Sequence, residues 1–299
     1  MRSYSFLVNP LSGGGAAPAA VVTVARLLRD AGAAVEVTYS PGPGACVELV
    51  RAAVARGDVV VAVGGDGMLA SVAGEVADRD GVLGLVPAGR GNDFARTLGL
   101  PSDAPGLADT LLHADARPVD LLALTLPGAG PRLVVGSVYA GVDARAAEIV
   151  DRVRWLPARL QYPYAAVAAV ATYAPSSYDV VVDGQRHTVT AATVVVANSG
   201  HYGQGMHVAP DASVTDGLLD VVVVGAATRR QVLTALPRVY RGTHTELDQV
   251  TVLRGSVVEL GATPAVPVGG DGEPLGTLPE RGSAAARVEV LPGRLRVLA

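Results

Sequence analysis

No lysine occurs anywhere in this chain of 299 residues; all 24 basic residues are arginine. That excludes the phosphate-loop lysine of GxxxxGK[ST] and any Schiff-base lysine. A side-chain cation acting on a phosphate here must be arginine, or a metal must serve. Cysteine occurs once, at Cys46, which excludes an intramolecular disulfide and a cysteine-built metal cluster. Its Ala/Val-rich helical setting reads as a buried, inert thiol. Mean hydropathy is +0.36, yet no apolar run approaches the roughly 20 residues that cross a bilayer. The longest helix-like stretch is Tyr164 to Ala174. The opening MRSYSFLVNP has no long apolar region before its first turn, so a secretory signal is not expected. Net charge is −4, and nothing suggests a nucleic-acid partner. No GxGxxG opens a helix, which disfavours a dinucleotide-binding dehydrogenase. Internal repeats and low-complexity tracts are absent. These exclusions lead to the expectation of a soluble, cytoplasmic protein.

What the chain does have is glycine in ordered turns. Val59 to Ala70, VVVAVGGDGMLA, runs five apolar residues straight into Gly64-Gly65-Asp66-Gly67 and a helix-capable segment. A short apolar run bounded by glycines reads as a strand buried on both faces of a parallel sheet. The helix behind such a turn offers free N–H groups and a positive dipole end, a seat for phosphate. Asp66 would repel phosphates there unless a divalent cation mediates, which implies Mg²⁺. Read alone, GGDG is equally a turn with Asp66 as a helix cap.

Two further turns share the pattern. Ser5 to Val8 reads as a strand ending in Asn9-Pro10-Leu11-Ser12-Gly13-Gly14-Gly15. Leu83 to Val86 ends in Pro87-Ala88-Gly89-Arg90-Gly91-Asn92-Asp93. Helices are predicted over Ala16 to Ala31 and Cys46 to Arg56, with Val35 to Tyr39 a strand between them. Strand, glycine turn and helix thus alternate through residue 118, the mark of a doubly wound α/β domain. In such sheets ligands bind beyond the carboxyl ends of strands, where all three turns lie. After Asp120 strands dominate: Leu121 to Leu126, Leu133 to Tyr139, Tyr178 to Val182, His187 to Thr190, Thr193 to Ala197, Leu218 to Val224, Val250 to Leu253 and Val257 to Leu260. Asp183-Gly184 is a hairpin turn signal. Helices interrupt at Ala158 to Tyr173 and Thr228 to Tyr240. The expected architecture is an N-terminal α/β nucleotide-binding domain (1–118, rejoined by 287–299) and an antiparallel β-sandwich domain (119–286).

The ordered set NPLSGGG, GGDGML, PAGRGNDFAR, DGLLDV and GGDGEPLG resembles the diacylglycerol kinase catalytic-domain family, in its soluble bacterial lipid kinase branch related to sphingosine kinases. GGDG alone is shared with NAD kinases and phosphofructokinases; the whole set, in order, is far more specific. The resemblance covers essentially the whole chain and implies ATP in the α/β domain, lipid in the β-sandwich domain and reaction in the cleft between them. Carried over by motif, Asn9, Ser12, Gly13, Gly14, Gly64, Gly65, Asp66, Gly67, Gly89, Arg90, Gly91 and Asn92 would bind ATP. Asp66, Asp93, Asp120 and Asp216 would serve Mg²⁺, and Asp271 and Glu273 would be catalytic. Phosphoryl transfer needs positioning, charge neutralisation and a base at the acceptor hydroxyl; Asp271 would take that proton. Taken singly, Asp271 and Asp216 read as turn residues and Asp120 as a strand-edge residue.

Two departures from the family matter. Met68 stands where the family usually has threonine and cannot donate a hydrogen bond to phosphate. Arg90 replaces the threonine of GTGND and would either supply a charged donor to phosphate instead or make a surface ion pair. Gln204 likewise replaces a frequent glycine in Tyr202-Gly203-Gln204-Gly205. Arg152, Arg154, Trp155 and Arg159, beside Leu156, Leu160 and Tyr162, have the composition of an interfacial membrane contact, or equally of a docked helix with solvated arginines. His244 in Gly242-Thr243-His244 resembles a family position, although a lone histidine is more often structural. The resulting expectation is an ATP- and Mg²⁺-dependent kinase of a primary lipid hydroxyl, diacylglycerol first. Its rivals are a kinase of another lipid alcohol, such as a sphingoid base, and a catalytically silent nucleotide- or lipid-binding regulator. The expected partner is lipid at the inner membrane surface, with a homodimer the one assembly considered.

Overall fold

The structure is a computed structural model that describes residues 2–10, 12–14, 17–40, 43–153, 155–156, 158–172 and 174–299. Arg154 of the proposed interfacial segment lies outside them, as do the side chains of Arg159, Leu160 and Tyr162. The chain forms two compact units. The first comprises 1–121, 203–205 and 292–299; the second comprises 122–202 and 206–291.

In the first unit the order is β1 (Ser3–Val8), α1 (Ala17–Asp30), β2 (Ala34–Tyr39), α2 (Pro43–Ala55), β3 (Val59–Gly64), α3 (Asp66–Ala77), β4 (Val82–Pro87), α4 (Asp93–Thr97), α5 (Ala104–His113) and the start of β5 (Ala116–Thr125). Because β3 is buried along its whole length, it must be central. It lies between β1 and β4, parallel to both, and β2 adds to the outer side of β1. The chain's last strand closes the other side, with Arg296 and Val297 parallel to Val82 and Leu83. α1 packs beside α5 and α2 beside α3. The first pair shares a core of Phe6, Val8, Val21, Leu28, Val61 and Leu111. The β1, β3 and β4 carboxyl ends therefore point the same way.

The second unit continues with the rest of β5, β6 (Arg132–Val134), β7 (Ser137–Gly141), α6 (Val142–Arg152), α7 (Ala158–Ala171), β8 (Ser176–Val182), β9 (Gln185–Ala197), β10 (His201–Tyr202), β11 (Met206–His207), β12 (Leu219–Gly225), α8 (Arg229–Arg241), β13 (Val250–Gly255), β14 (Val257–Thr263), β15 (Pro267–Gly270), β16 (Glu273–Thr277) and the first part of β17 (Ala286–Leu298). Its pairings are antiparallel and its form is β-sandwich-like. β8 alternates buried and half-buried residues as a one-faced strand should. It turns into β9 through Asp183 and Gly184, at φ 44° and 84°, the backbone of a type I′ hairpin. The core gathers Val180, Val194, Val196, Val221, Leu260 and Val288.

Of three differences from the sequence expectation, two have physical causes. The segments 187–190 and 193–197 form one strand, β9, which changes partners rather than ending. Its first part pairs with β8; its second part lies between β7 and β12. Conversely, the predicted strand 133–139 breaks at Val135-Gly136, because those backbone N–H groups donate to the Asp271 carboxylate. Finally, α6 (Val142–Arg152) went unrecognised, although its apolar residues fall at helical spacing.

Candidate active site

Glycine lets the second and third turns of the first unit touch backbone to backbone and brings Ser12 of the first against Gly64. A Cβ on Gly89 would stand 2.3 Å from the Gly65 Cα, and one on Gly64 would stand 2.9 Å from the Ser12 Oγ. No larger residue fits at either point. Asn92, in the left-handed region at φ 51°, folds its side chain back on the same turn. Its Oδ1 accepts from the Gly89 N–H at 2.8 Å and its amide donates to the Gly89 carbonyl at 3.1 Å. Ser12, Gly64, Gly65, Gly89 and Asn92 are thereby brought together. Asn9 joins them through its N–H, which donates to the Val63 carbonyl at 3.2 Å. An open hollow of about 20 Å³ lies among Gly64, Gly65, Asp66, Pro87 and Asn92, the room of a single water.

Two carboxylates flank this rim. A Cβ on Gly91 would lie 3.0 Å from Asp66 Oδ2 and 3.1 Å from Asp93 Oδ2, so Gly91 leaves both side chains facing one small space. Asp66 accepts from the Phe94 N–H at 3.3 Å. Asp93 is buried and accepts from the N–H groups of Gln204 and Gly205 at 2.9 and 2.7 Å. Those two bonds explain why Gly203–Gly205 belongs to the first unit, although the sequence reading placed it in the second domain. Burial holds both carboxyls above the usual carboxylate range, and the charge of Asp93 adds to the effect on Asp66. Met68 is buried and stacks on the Gly64 side of the turn, a packing residue with no polar reach. Arg90 is exposed on the rim.

The four proposed metal carboxylates divide. Among the described residues no three of His, Cys, Asp and Glu stand as a metal-holding group. Asp66 and Asp93 face each other. Asp120 is buried, with Oδ1 accepting from the Gly293 N–H at 2.7 Å, a bond that ties β5 to the returning C-terminus. Asp216 in the second unit is paired with the guanidinium of Arg254, whose Nε also reaches Asp220 at 3.2 Å. An arginine thus supplies the positive charge beside Asp216.

In the second unit Asp271 and Gly272, at φ 49° and 87°, form another type I′ turn, between β15 and β16. The carboxylate turns inward and accepts from the N–H groups of Val135, Gly136 and Ser137 at 2.6, 2.8 and 3.3 Å. The Gly272 N–H donates to the Tyr139 hydroxyl at 3.1 Å. Glu273 is exposed at the start of β16. Tyr139 stacks on Tyr202 with ring centroids 5.2 Å apart. Tyr202 in turn hydrogen-bonds Asp143, which also accepts from the Thr193 hydroxyl at 2.8 Å.

Asp143 lines a cavity of about 480 Å³ that the sequence reading did not foresee. Apolar wall residues include Ala192, Met206, Val208, Val224 and Leu247, and polar ones include Asp143, Gln231, Arg238 and His244. Such a volume and lining suit a small apolar ligand. His244 is 2% exposed; its Nε2 bonds the Val208 carbonyl and its Nδ1 has no partner. Burial keeps the imidazole pKa low and the Asp143 carboxyl pKa high, so both rest towards their neutral forms. No motif pointed to Asp143. His244 showed only a weak family match.

Comparison with known proteins follows the same division. Residues 3–124 match the diacylglycerol kinase catalytic domain, and residues 136–299 match the YegS C-terminal NAD kinase beta sandwich-like domain. A diacylglycerol kinase of Mycobacterium tuberculosis is 34% identical over 297 residues, covering 98% of this chain and 93% of its own. One from Bacillus subtilis is 23% identical, covering 93% and 92%. A crystal structure from Bacillus anthracis covers 99% of this chain and 95% of its own at TM-score 0.79 and 19% identity. Another, of a diacylglycerol kinase from that organism, covers 99% and 96% at TM-score 0.73 and 18% identity. At such identities the two structures speak for the fold alone.

Proposed function

Because this chain belongs to the diacylglycerol kinase family, we propose that it transfers the γ-phosphoryl group of ATP to the primary hydroxyl of a lipid, diacylglycerol first among acceptors. The observation that carries this reading is the meeting of three glycine turns at the carboxyl ends of parallel strands, with Asp66 and Asp93 side by side there. Free amides on such a rim bind phosphate oxygens. Arg90, on the same rim, adds a charged donor.

Mg²⁺ fits the donor set. Two hard carboxylate oxygens face one space, and Mg²⁺ is commonly held by one or two carboxylates with substrate phosphates and water completing its shell. When bound, it neutralises phosphate charge and relieves the repulsion between the carboxylates. Asp66 and Asp93 would hold it, the latter pre-oriented by its two backbone N–H bonds.

The acceptor oxygen attacks the γ-phosphorus, the bond from that phosphorus to the bridging oxygen of ADP breaks, and the hydroxyl proton passes to Asp271. Its three backbone donors fix the carboxylate in place. The apolar part of the acceptor has a candidate seat in the 480 Å³ cavity, which the Tyr202–Tyr139 stack joins to the Asp271 turn within the same unit.

Transfer of label from γ-labelled ATP with Mg²⁺ tests the reading, with diacylglycerol, monoacylglycerol, ceramide and sphingosine each presented in neutral mixed micelles. Labelled phosphatidic acid is the expected product. Label on sphingosine alone would replace the acceptor, and ATP binding without any labelled lipid would favour a silent regulator.

A further inference from the structure

The backbone that grips Asp271 is itself gripped from behind. At the Val135-Gly136 break two peptide units stand between the Asp271 carboxylate on one side and the first residues after β9 on the other. In a planar trans peptide the C=O and N–H point opposite ways, so each unit can accept at one edge and donate at the other. The unit joining Val135 to Gly136 accepts at its carbonyl from the Asn198 side-chain amide, at 2.9 Å, and donates from its N–H to Asp271 Oδ1, at 2.8 Å. The unit joining Gly136 to Ser137 accepts at its carbonyl from the backbone N–H groups of Asn198 and Ser199, at 2.9 and 3.1 Å. It donates to the same Oδ1, at 3.3 Å. Asn198 thus meets both units, one through its side chain and one through its backbone. The residue is fully buried, and so is its bond to Val135. Hydrogen bonds in series polarise one another, and burial strengthens each of them. Space is tight as well: a Cβ on Gly136 would stand 3.1 Å from both Asp271 Oδ1 and Ser199 Oγ. A displacement on the Asn198 side of the segment is therefore passed on to the carboxylate.

We propose that Asn198 is a positioning residue for Asp271, acting through the 135–137 backbone to set where the carboxylate stands. The proposal rests on the reading of Asp271 as the base that takes the acceptor proton. A base works only within hydrogen-bond reach of that proton, and a misplacement of about 1 Å can cost about 100-fold in rate. The residue type fits the task. Asparagine sets a backbone donor and a side-chain donor on two successive carbonyls. Leucine has a similar size and no side-chain donor, and aspartate would turn an acceptor toward the Val135 carbonyl. Asn198 lies 63 positions from Val135, so the pairing exists only in the folded chain.

The test compares Asn198→Leu, Asp271→Asn and the double variant in the full chain. Transfer from γ-labelled ATP to diacylglycerol in neutral mixed micelles is followed in the steady state and in single turnovers. Asn198→Leu should keep the parent's near-ultraviolet signal and its KM for ATP, while kcat falls about 10- to 100-fold. In the Asp271→Asn background the same substitution should cost less than about twofold, because no base remains to be positioned. A loss from general loosening of the fold would persist in that background. Where Asn198→Leu does not fold, Asn198→Ser decides: it keeps the backbone donor, its side chain stops short of Val135, and it should show the same split between kcat and KM. A kcat within about twofold of the parent in the folded Asn198 variant, beside a disabled Asp271→Asn, would overturn the proposal and leave the kinase reading standing. So would an equal loss with and without Asp271. Undiminished turnover by Asp271→Asn would remove the base itself, and the proposal with it.

Discussion

Two Asp-Gly turns of the same backbone type occur in the second unit, and they allow the role of Asp271 to be separated from its architecture. Asp271 accepts three backbone N–H bonds, at 2.6, 2.8 and 3.3 Å. Asp183 accepts from the N–H groups of Ser256 and Val257, at 3.1 and 2.9 Å, and from the Ser256 hydroxyl at 3.1 Å. Asn tolerates the left-handed conformation of either position, so Asp→Asn keeps each turn. The substitution removes a charge-assisted acceptor; hydrogen bonds to charged groups contribute about 1.5–3 kcal/mol net. For half-buried Asp271 a loss of about 2 kcal/mol is expected, and less for Asp183, which solvent screens. Both variants should therefore melt only a few degrees below the parent. Activity should part them. Losing a general base typically costs about 10²–10⁴ in rate, so Asp271→Asn should drop kcat by that factor while Asp183→Asn stays near the parent. Melting curves beside single-turnover transfer from labelled ATP measure both quantities. If the two variants lost activity alike, in step with their stability, Asp271 would be a structural turn residue and the assignment of the base would fail.

Asp66→Asn should stabilise the apo protein near neutral pH. Burial and Asp93 raise the Asp66 pKa in the fold, so the folded state binds more protons above the unfolded pKa and the ionised group opposes folding there. The gain should vanish as pH falls through the raised pKa, which chemical denaturation at several pH values would reveal. Gly89→Ala drives a Cβ to 2.3 Å from the Gly65 backbone; ATP affinity should fall at least tenfold by titration calorimetry, with the second unit's near-ultraviolet signal preserved. Arg254→Leu strips Asp216 and the buried Asp220 of their cation. A loss of about 2 kcal/mol at neutral pH is expected in urea unfolding, discounted because the guanidinium is half exposed. Burial raises the Asp220 pKa, so this loss should shrink as acid protonates that carboxyl.

The sequence carried the nucleotide half of the account further than the lipid half. Parallel strands buried on both faces read as unbroken apolar runs, and glycine marks each place where backbones must touch; both signals are local. Val59–Gly64 and its turn could thus be placed from residues alone. Asp183-Gly184 was legible for the same reason. The break at Val135-Gly136 was not, because its cause is a carboxylate more than 130 positions away. Gly203–Gly205 was assigned to the wrong unit on similar grounds: only Asp93 draws it across the sequence. The cavity was invisible because its lining comes from α6, β9, β12, α8, β13 and their connections, far apart in sequence. Asp216 matched a motif, yet the partner that decides its chemistry, Arg254, lies outside any motif.

The central claim is that Asp66 and Asp93 make the first unit's glycine rim a site for nucleotide with Mg²⁺. Calorimetric titration of ATP into the intact protein, with Mg²⁺ and with a chelator, measures this most directly. The account predicts binding that depends on Mg²⁺ in the parent and is lost in Asp66→Asn, a variant that nevertheless melts no lower than the parent. Equal ATP affinity with and without Mg²⁺, or undiminished Mg²⁺-dependent binding by Asp66→Asn, would contradict it.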